Sequence, residues 1–370
     1  MKKMKIFVVN PGSTSTKVAY FEDEKCLFSD DVFHDSSILR SFATFNDQLP
    51  YRMEVIRQFL KDRNIDLTGL DAVVGRGGSC VSVESGIYKI NEKLLEDTRN
   101  AVSGTWHSSM LGVQMAEEIQ KEYGGEMYML DPIVVDEYQD LARVTGVKGI
   151  YRRAVCHALN QKAIARRYAE DTGRKYEDLN LIVAHIDGGV TICAHQKGRM
   201  IDGNDGGGGD GPFTPTRMGT MAITDFLNKL YGKPREEIRS LCSQSGGFSS
   251  WFGTSNSNEI HKMYEDGDEK AVLIWNAWKY QITKAIGAMA AVLHGKVDQI
   301  VLTGGLMRFD DVRETIEEAC GWIAPVTVYP GEAEMEAMAY GALRVLRNEE
   351  TAKTYTGVPV WNGFFPEEGI

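Results

Sequence analysis

The chain has 370 residues, enough for two domains of ordinary size, each with its own buried core. Hydrophobic residues make up 43% and charged residues 25%, a globular composition without any sign of disorder. The formal net charge is −11 and no run of Lys and Arg stands out, which argues against a nucleic-acid partner but allows an anionic small substrate held by a few local cations.

Strands and helices alternate along the chain. The first strand, at 5–9, is broken by Pro11 and Gly12, and a hydroxyl-rich turn leads into a second strand at 17–21. The remaining predicted elements, in chain order, are a helix at 51–61, a strand at 71–74, a helix at 108–123, a strand at 127–130, a helix at 157–172, strands at 181–185 and 190–195, a helix at 275–294, a strand at 299–302 and a helix at 334–347. This alternation predicts an α/β fold.

The strand–turn–strand pattern of the opening recurs in the second half, where strands at 181–185 and 190–195 flank Asp187, Gly188 and Gly189. Both turns carry small or polar residues. Two such units in one chain indicate an internal duplication, and the helix at 157–172 is the predicted connection between the halves.

One stretch, 202–215, contains four consecutive glycines and two prolines and fits no regular element. Glycine at this density is typical either of a flexible surface loop or of backbone that closely approaches a ligand. Composition alone does not distinguish the two.

The six cysteines are scattered, and none forms a CxxC pair. This spacing argues against a zinc site, an iron–sulfur cluster and a disulfide framework, so we interpret them as free thiols in a reducing compartment. The apolar run near the N-terminus stops at Pro11 and Gly12, too early for a secretory signal, and no segment approaches the roughly 18 apolar residues of a membrane span. We therefore expect a cytoplasmic protein.

Three turns at strand ends have the composition of phosphate-binding sites: residues 10–17, 185–189 and 303–305. Backbone N–H groups and hydroxyls suit anionic oxygens, and the first turn adds Lys17. A plain hairpin explains any one of these turns, but three in one chain favour a nucleotide site. None matches GxxxxGK[ST], which excludes a P-loop nucleotidase, and the spacing of the glycine run disfavours a dinucleotide fold.

This set of turns, in this order, resembles the sugar kinase, chaperone and actin superfamily, and within it the acetate and butyrate kinase family. The resemblance runs nearly end to end and rests on NPGSTSTK at 10–17, VVGRGG at 73–78, WHSSMLG at 106–112, AHIDGGV at 184–190, GPFTPTRMGT at 211–220, YQITKAIGAMAAVL at 280–293 and VLTGGL at 301–306. Segments at 131–137, 157–166 and 330–346 look more like butyrate kinases than acetate kinases.

The resemblance implies an α/β fold of two duplicated ribonuclease H-like domains with an ATP cleft between them. We expect residues 1–155 and 336–370 to form the N-terminal, acid-binding domain and residues 156–335 to form the nucleotide-binding domain. The resemblance also implies reversible, ATP-dependent phosphorylation of a short-chain carboxylate by direct in-line transfer, with Mg2+, in a homo-oligomer. Butyrate is the expected acid.

Roles carry over residue by residue from the family. The nucleotide-binding positions are Asn10, Ser13, Ser15, Lys17, Asp187, Gly188, Gly189, Gly304 and Gly305. The catalytic positions are Arg76, His107, Asp131 and His185. The expected magnesium ligands are Asn10 and Glu334.

One position departs from the family pattern. Where acetate kinases read MGTR, this chain reads MGTM, so Met221 stands where a second phosphate-binding arginine is expected. Arg217, in the same loop, is a candidate catalytic replacement, and a surface arginine is the alternative.

A carboxylate kinase needs no general base, because an acid with a pKa near about 4 is already ionised at neutral pH. Catalysis then depends on in-line positioning and on positive charge around the phosphoryl oxygens. Arg76 suits this role because its planar guanidinium grips an oxyanion at two points. We expect Asp131 to orient water or magnesium rather than to take a proton, with Asp136 as the competing residue. We interpret His157 and His195 as structural.

Two other classes stay open: an actin- or chaperone-like ATPase, and a nucleotide-binding regulator without turnover. The carboxylate clamp of Arg76 and Arg217 argues against the first, and His185 with Lys17 argues against the second. Within the kinase class each methylene of the acid contributes only about 0.8 kcal/mol, so acetate, propionate and branched acids are alternatives to butyrate.

Overall fold

The structure, a computed structural model, describes residues 2–364. Its strands are β1 (Lys5–Pro11), β2 (Ser15–Glu22), β3 (Lys25–Phe33), β4 (Ala72–Gly75), β5 (Ile87–Lys89), β6 (Glu126–Leu130), β7 (Asn180–Ile186), β8 (Val190–Gln196), β9 (Arg199–Gly203), β10 (Gln299–Gly304), β11 (Val326–Pro330) and β12 (Lys353–Thr354). Its α-helices are α1 (Ser36–Ser41), α2 (Leu49–Asp62), α3 (Glu92–Arg99), α4 (Leu111–Tyr123), α5 (Asp140–Arg143), α6 (Ala158–Asp171), α7 (Ile223–Leu230), α8 (Arg235–Ser243), α9 (Gly247–Phe252), α10 (Ser257–Glu265), α11 (Glu269–Val292), α12 (Asp310–Cys320) and α13 (Glu334–Leu346). Short 3-10 helices occupy Asn46–Gln48, Ser108–Met110, Tyr176–Asp178 and Gly305–Arg308.

All the strands and helices predicted from sequence are present, with their ends moved by a few residues. The sequence analysis missed the strands β3, β5, β9, β11 and β12 and the helices α1, α3, α5, α7 to α10 and α12. In β3 the burial is weak, because only Val32 is buried, so no apolar alternation marks the strand. Among residues 2–364, no helix combines the length and the apolar character that a membrane span requires.

The chain divides into two compact units. Of the described residues, the first contains 2–136 and Ala333–Phe364, and the second contains Glu137–Glu332. The division therefore falls before the predicted boundaries at 155/156 and 335/336. The reason is that the segment after residue 136 bonds to β9 of the second unit, through Gln139 N to Ile201 O at 2.9 Å and Met200 N to Glu137 Oε2 at 2.8 Å.

The first unit is built on a seven-stranded sheet in the order β12-β5-β6-β4-β1-β2-β3. One end of the sheet is an antiparallel meander, β1-β2-β3, and next to β1 lie two strands, β4 and β6, that run parallel to it. Parallel neighbours need a crossover connection, and α2 and α4 supply these. Strand β1 is an interior strand, paired with β4 on one side and β2 on the other, so its end is held on both sides.

The second unit is built on a five-stranded sheet in the order β11-β10-β7-β8-β9. Here β7-β8-β9 form the antiparallel meander, and β10 and β11 are the parallel strands. This is the arrangement of the first sheet without its outer strands β5 and β12. The expected α/β class, with two related halves, is therefore confirmed.

The core of the second unit is aromatic. Helix α11 buries Trp275 and Trp278 completely, and Phe248 stacks on Trp275 with ring centroids 5.5 Å apart. Three large rings in contact bury much apolar area and give this core a single packing arrangement. The five-stranded sheet that carries the second set of turns is thus firmly supported.

Candidate active site

The first phosphate turn joins β1 to β2. Asn10 and Lys17 are direct cross-strand partners at its base, and Gly12 N donates to Ser15 O at 2.8 Å to close it. Ser13 and Thr14 are exposed at the tip. The four nucleotide-binding residues predicted in this segment therefore lie on one hairpin.

A buried arginine on α2, which the sequence analysis missed, holds this turn from beneath. Arg52 is fully buried, and its guanidinium donates to Gly12 O at 3.0 Å and Ser13 O at 3.0 Å. It also reaches Ser15 O and Thr16 Oγ1, both at 3.3 Å. These acceptors are all uncharged, and burial lowers the pKa of Arg52 to about 10.

The remaining carbonyl of the turn is held by the end of the meander. His34 N donates to Thr14 O at 2.9 Å, and the His34 ring contacts Thr16 Oγ1 at 2.8 Å. Burial, and then the charge of Arg52, lower the pKa of His34 to about 4, so its ring is neutral at physiological pH. The carbonyl oxygens of residues 12–15 are thus all engaged by the protein. If phosphate binds at this turn, as predicted, its electrostatic repulsion by these oxygens would be reduced as a result.

The residues predicted to hold the acid and the metal come together at the end of β4. Arg76 is buried, and its Nη1 lies 2.5 Å from Oε1 of Glu334, close enough for an ion pair but without the alignment of a hydrogen bond. The other oxygen of Glu334 accepts from Asn10 Nδ2 at 2.9 Å. Nε of Arg76 also has no hydrogen-bond acceptor among residues 2–364. The guanidinium therefore keeps donors that an oxyanion would satisfy.

Close packing explains the glycines around Arg76. A Cβ on Gly75 would lie 2.2 Å from Gly112 O, and a Cβ on Gly112 would lie 2.3 Å from Arg76 O. Gly77 packs in the same way against Met129, whose sulfur would be 2.1 Å from an added Cβ. The start of α4 therefore contacts the backbone of Arg76 directly, and this contact fixes the position of the Arg76 backbone.

His107 and Asp131, two further predicted catalytic residues, have different environments. His107 is exposed and caps the 3-10 helix that precedes α4, its Nδ1 accepting from Ser109 N at 3.2 Å. Asp131 is fully buried, with Oδ1 accepting from Ser85 Oγ and from Gly86 N, each at 2.7 Å. These bonds tie Asp131 to the segment before β5. Its predicted role near magnesium, and that of Asp136, stay predictions.

Magnesium needs only one or two carboxylates when phosphate oxygens and water supply its other ligands. Glu334, with the amide oxygen of Asn10 nearby, fits that pattern. Over the described part of the chain, no group of three or more His, Cys, Asp or Glu side chains is arranged to hold a metal ion. The assignment of Asn10 and Glu334 as magnesium ligands stays a prediction.

In the second unit, Asp187 joins two of the predicted turns. Its Oδ1 accepts from Gly188 N at 2.7 Å within the β7–β8 turn, and its Oδ2 accepts from Gly305 N at 2.6 Å. Gly304, with φ of +106°, lies so close to this turn that an added Cβ would be 2.2 Å from Ile186 O. The second phosphate turn and the turn expected to hold adenosine therefore form one unit of structure.

Arg217 packs on the same turn. An added Cβ on Gly189 would lie 2.3 Å from Arg217 Nη1, so the guanidinium rests directly on this glycine. Nε and Nη1 of Arg217 are buried and have no hydrogen-bond acceptor in the described part of the chain. Burial lowers the pKa of Arg217, with Asp205 opposing the shift. Met221, by contrast, is 43% exposed. A buried guanidinium with unused donors against a phosphate turn supports the replacement of the missing arginine by Arg217.

A threonine that the sequence analysis missed anchors the loop of Arg217. Thr214 Oγ1 donates to Gly188 O at 2.8 Å and accepts from Arg217 N at 3.1 Å. It therefore engages a carbonyl of the second turn, as Arg52 does for the first. The residues TPTR at 214–217 belong to one of the motifs that carry the family resemblance, but no local sequence pattern predicts that Thr214 reaches Gly188.

The glycine-rich stretch is held by its own aspartates. Asp205 Oδ1 accepts from Gly207 N at 2.7 Å and from Gly208 N at 2.8 Å, and Asp210 Oδ2 accepts from Asp205 N at 3.2 Å. Gly206 also packs against Thr191, whose methyl would lie 2.8 Å from an added Cβ. This is a close approach to a protein side chain and not to a ligand, so the choice between a flexible surface loop and a ligand-approaching segment stays a prediction.

His185 lies on β7 and is 1% exposed. Its Nδ1 contacts Asn160 Nδ2 at 2.8 Å, its Nε2 lies 3.7 Å from Glu332 Oε1, and its ring stacks on His157 with centroids 4.1 Å apart. His195, which was interpreted as structural, is buried between Tyr176 and Gln161, and burial puts its pKa well below the usual range.

Comparisons with known proteins agree with this architecture. Residues 139–352 match the acetokinase family. The chain is 44% identical over 355 residues to Butyrate kinase 2 of Clostridium acetobutylicum, covering 95% of this chain and 99% of that protein.

Among solved structures, acetate kinase from Porphyromonas gingivalis superposes with a TM-score of 0.73 at 20% identity, over 93% of this chain and 100% of the other. A propionate kinase from Francisella tularensis subsp. tularensis gives a TM-score of 0.72 at 18% identity, over 91% and 98%. These structures share the fold of the duplicated, actin-like kinases. The chain belongs to the acetokinase family, and the resemblance inferred from its motifs is confirmed.

Proposed function

We propose that the protein transfers the γ-phosphoryl group of ATP to the carboxylate of a short-chain fatty acid, and that butyrate is the preferred acid. The observation that carries the proposal is the identity of 44% to Butyrate kinase 2 across almost the whole of both chains. The site residues support the same chemistry, because Arg76, which is buried, and Arg217, which is half-buried, have buried donors without an acceptor beside residues of the expected oxyanion sites.

In the proposed reaction a carboxylate oxygen attacks the γ-phosphorus, and the bond from that phosphorus to the bridging oxygen breaks. The products are an acyl phosphate and ADP, and no proton moves to or from the acid. A general base is therefore not required, which distinguishes this reaction from sugar phosphorylation. The same steps run backwards to make ATP.

The proposed roles follow from charge and geometry. We assign phosphate binding to the turns that contain Ser13 and Gly188, because Ser13 O and Gly188 O already accept bonds from Arg52 and Thr214 and so oppose a phosphate less strongly. Arg76 binds the acid and the transferring phosphoryl group, and Arg217 neutralises phosphate charge from its position on Gly189. Magnesium, when bound, would add further positive charge at the phosphates, and Asn10 and Glu334 would hold it.

Acyl phosphate formation with a panel of acids tests the proposal. Full-length protein is incubated with ATP, magnesium and acetate, propionate, butyrate or isobutyrate, and the product is trapped as a hydroxamate. We expect the highest kcat/KM with butyrate. A preference for acetate would refute the acyl assignment, and ATP hydrolysis that is indifferent to every acid would favour the ATPase alternative.

Replacement of the acid-binding arginine separates this site from nucleotide binding. Arg76→Ala should lower kcat by orders of magnitude while the affinity for ATP stays nearly unchanged. Arg63→Ala, at an arginine whose side chain is 58% exposed, is the matched control. Near-normal turnover in Arg76→Ala would remove this residue from the site.

A cytoplasmic location, a homo-oligomeric state and the domain roles stay predictions. The cytoplasmic assignment is consistent with scattered free thiols, four of which are buried. Butyrate kinase 2 is 44% identical over nearly its full length, and its name supports a short-chain carboxylate as the small-molecule partner proposed here.

A further inference from the structure

A buried chain of polar groups leads from β10 to His185. Asn160, in the first turn of α6, is fully buried, and its Nδ2 lies 2.8 Å from His185 Nδ1 and 3.3 Å from Thr303 Oγ1. Thr303 Oγ1 in turn donates to Gly331 O at 2.9 Å. The family resemblance assigned no role to Asn160.

The hydroxyl of Thr303 determines which way the Asn160 amide faces. A hydroxyl has one proton, and Thr303 uses it on the carbonyl of Gly331, so towards Asn160 the Thr303 oxygen is an acceptor. Only the NH2 group of Asn160 can satisfy that acceptor. The same NH2 group faces His185, because both short contacts involve Nδ2.

The proton on the imidazole follows from this orientation. An NH2 group is a donor, so Nδ1 of His185 must accept and carries no proton. A neutral imidazole then has its proton on Nε2. Glu332 Oε1, 3.7 Å from Nε2, is an acceptor on that side and agrees with this assignment.

A second proton on the ring is opposed by the same contact. Imidazolium would place an N–H at Nδ1, pointing directly at the NH2 group of Asn160. Two titratable side chains also face the ring: His157, stacked at 4.1 Å, and Glu332. Protonation of His157 would further disfavour a cation on His185, whereas Glu332 would favour one.

We propose that Asn160 is a positioning residue that holds His185 as a neutral imidazole protonated at Nε2, so that this N–H donates to the phosphoryl group in transfer. The last step rests on the proposed function, whereas the tautomer does not. Asn160 acts through His185 and does not itself touch the substrate.

The tautomer is tested directly by NMR on the full-length protein labelled with 15N-histidine. The chain has 7 histidines, and His185 is assigned by the signal lost in His185→Gln. Long-range correlations from the ring protons should show an unprotonated Nδ1 and a protonated Nε2 at neutral pH. A protonated Nδ1 at neutral pH would overturn the proposal whether or not the protein is an active kinase.

Asn160→Asp gives a kinetic test with a distinctive pH dependence. The carboxylate accepts from Nδ1–H, so His185 retains a proton on Nε2 only as imidazolium. The kcat of this variant should therefore fall with rising pH, by about a hundredfold if one transition-state donor is lost, while the wild-type kcat stays level. Asn228→Asp, on the exposed α7, is the control and should behave like wild type. A loss in Asn160→Asp that is the same at every pH would overturn the proposal in favour of a purely structural role.

A second pair of variants applies if Asn160→Asp does not fold. Thr303→Val removes the acceptor that orients the amide, whereas Thr303→Ser keeps it. We expect mixed tautomers at His185 and a lower kcat in the valine variant, and wild-type spectra in the serine variant. A valine variant with the wild-type tautomer would contradict the argument from Thr303.

Discussion

Arg52 offers a test of how the protein prepares a turn for phosphate. The change Arg52→Met keeps an unbranched side chain in the buried space beneath the turn but removes every donor. Gly12 O and Ser13 O then lose the bonds they accept at 3.0 Å, whereas Ser15 O keeps Gly12 N and Thr16 Oγ1 keeps His34.

Two effects on the free energy of unfolding oppose each other. Three acceptors are orphaned, because Gln48 Oε1 also loses the bond that it accepts from Arg52 Nε at 3.1 Å, and at about 1–3 kcal/mol each they cost about 3–9 kcal/mol together. Removal of the buried cation offsets part of this cost. The lowering of the Arg52 pKa to about 10 means that burial disfavours the charged guanidinium by roughly 3 kcal/mol. We therefore expect the free energy of unfolding to fall by no more than about 6 kcal/mol.

ATP binding should also weaken. Without Arg52, the two carbonyls can rotate towards the phosphates, and a positive charge behind the turn is lost. We expect the KM for ATP to rise about tenfold or more, the equivalent of at least about 1.4 kcal/mol. The KM for the acid should change less, because Arg52 contacts only the phosphate turn and Gln48.

Urea unfolding followed by circular dichroism and initial-rate kinetics measure the two effects. Arg52→Lys separates charge from geometry, because an ammonium group cannot bridge the same carbonyls as a planar guanidinium. Arg63→Met, at the exposed end of the same helix, is the control. A wild-type KM for ATP in a folded Arg52→Met protein would refute the reasoning.

Three further predictions concern single groups. Gly304→Ala should lower the urea midpoint and weaken ATP binding, because φ is +106° and the new Cβ would meet a backbone carbonyl at 2.2 Å. The control is Gly295→Ala, where φ is +71° and the space around the new Cβ is open, so only backbone strain of order 1–3 kcal/mol is expected. The pKa of His34 is about 4 in the folded protein and about 6.5 in the unfolded chain. About 3 kcal/mol of the free energy of unfolding should therefore be lost as the pH falls from 6.5 to 4. Urea titrations should show a flatter pH dependence of this free energy in His34→Gln. Arg217→Met should raise the KM for ATP, and Met221→Arg in the same chain should restore part of the loss; normal kinetics in the single variant would make Arg217 a structural residue.

The sequence alone determined the fold class, the positions of seven of the twelve strands in residues 2–364, and the turns that follow β1, β7 and β10. Residues such as Gly12 and Gly188 favour a turn at their own position in the chain, and a run of apolar residues locates a buried strand to within a few residues. The two strand–turn–strand units were therefore recognised as a duplication, and the order of the two sheets agrees with it. The family followed from the same motifs.

Only the tertiary structure decided which side chains support those turns. Arg52 is 39 residues from Ser13 in the chain, and Asn160 is 143 residues from Thr303, so no local pattern links either pair. The pairing of Arg76 with Glu334 likewise depends on α13 returning to β1 and β4. Hydrogen bonds of this kind require buried partners from distant segments, and burial is a property of the folded chain rather than of any short stretch of sequence.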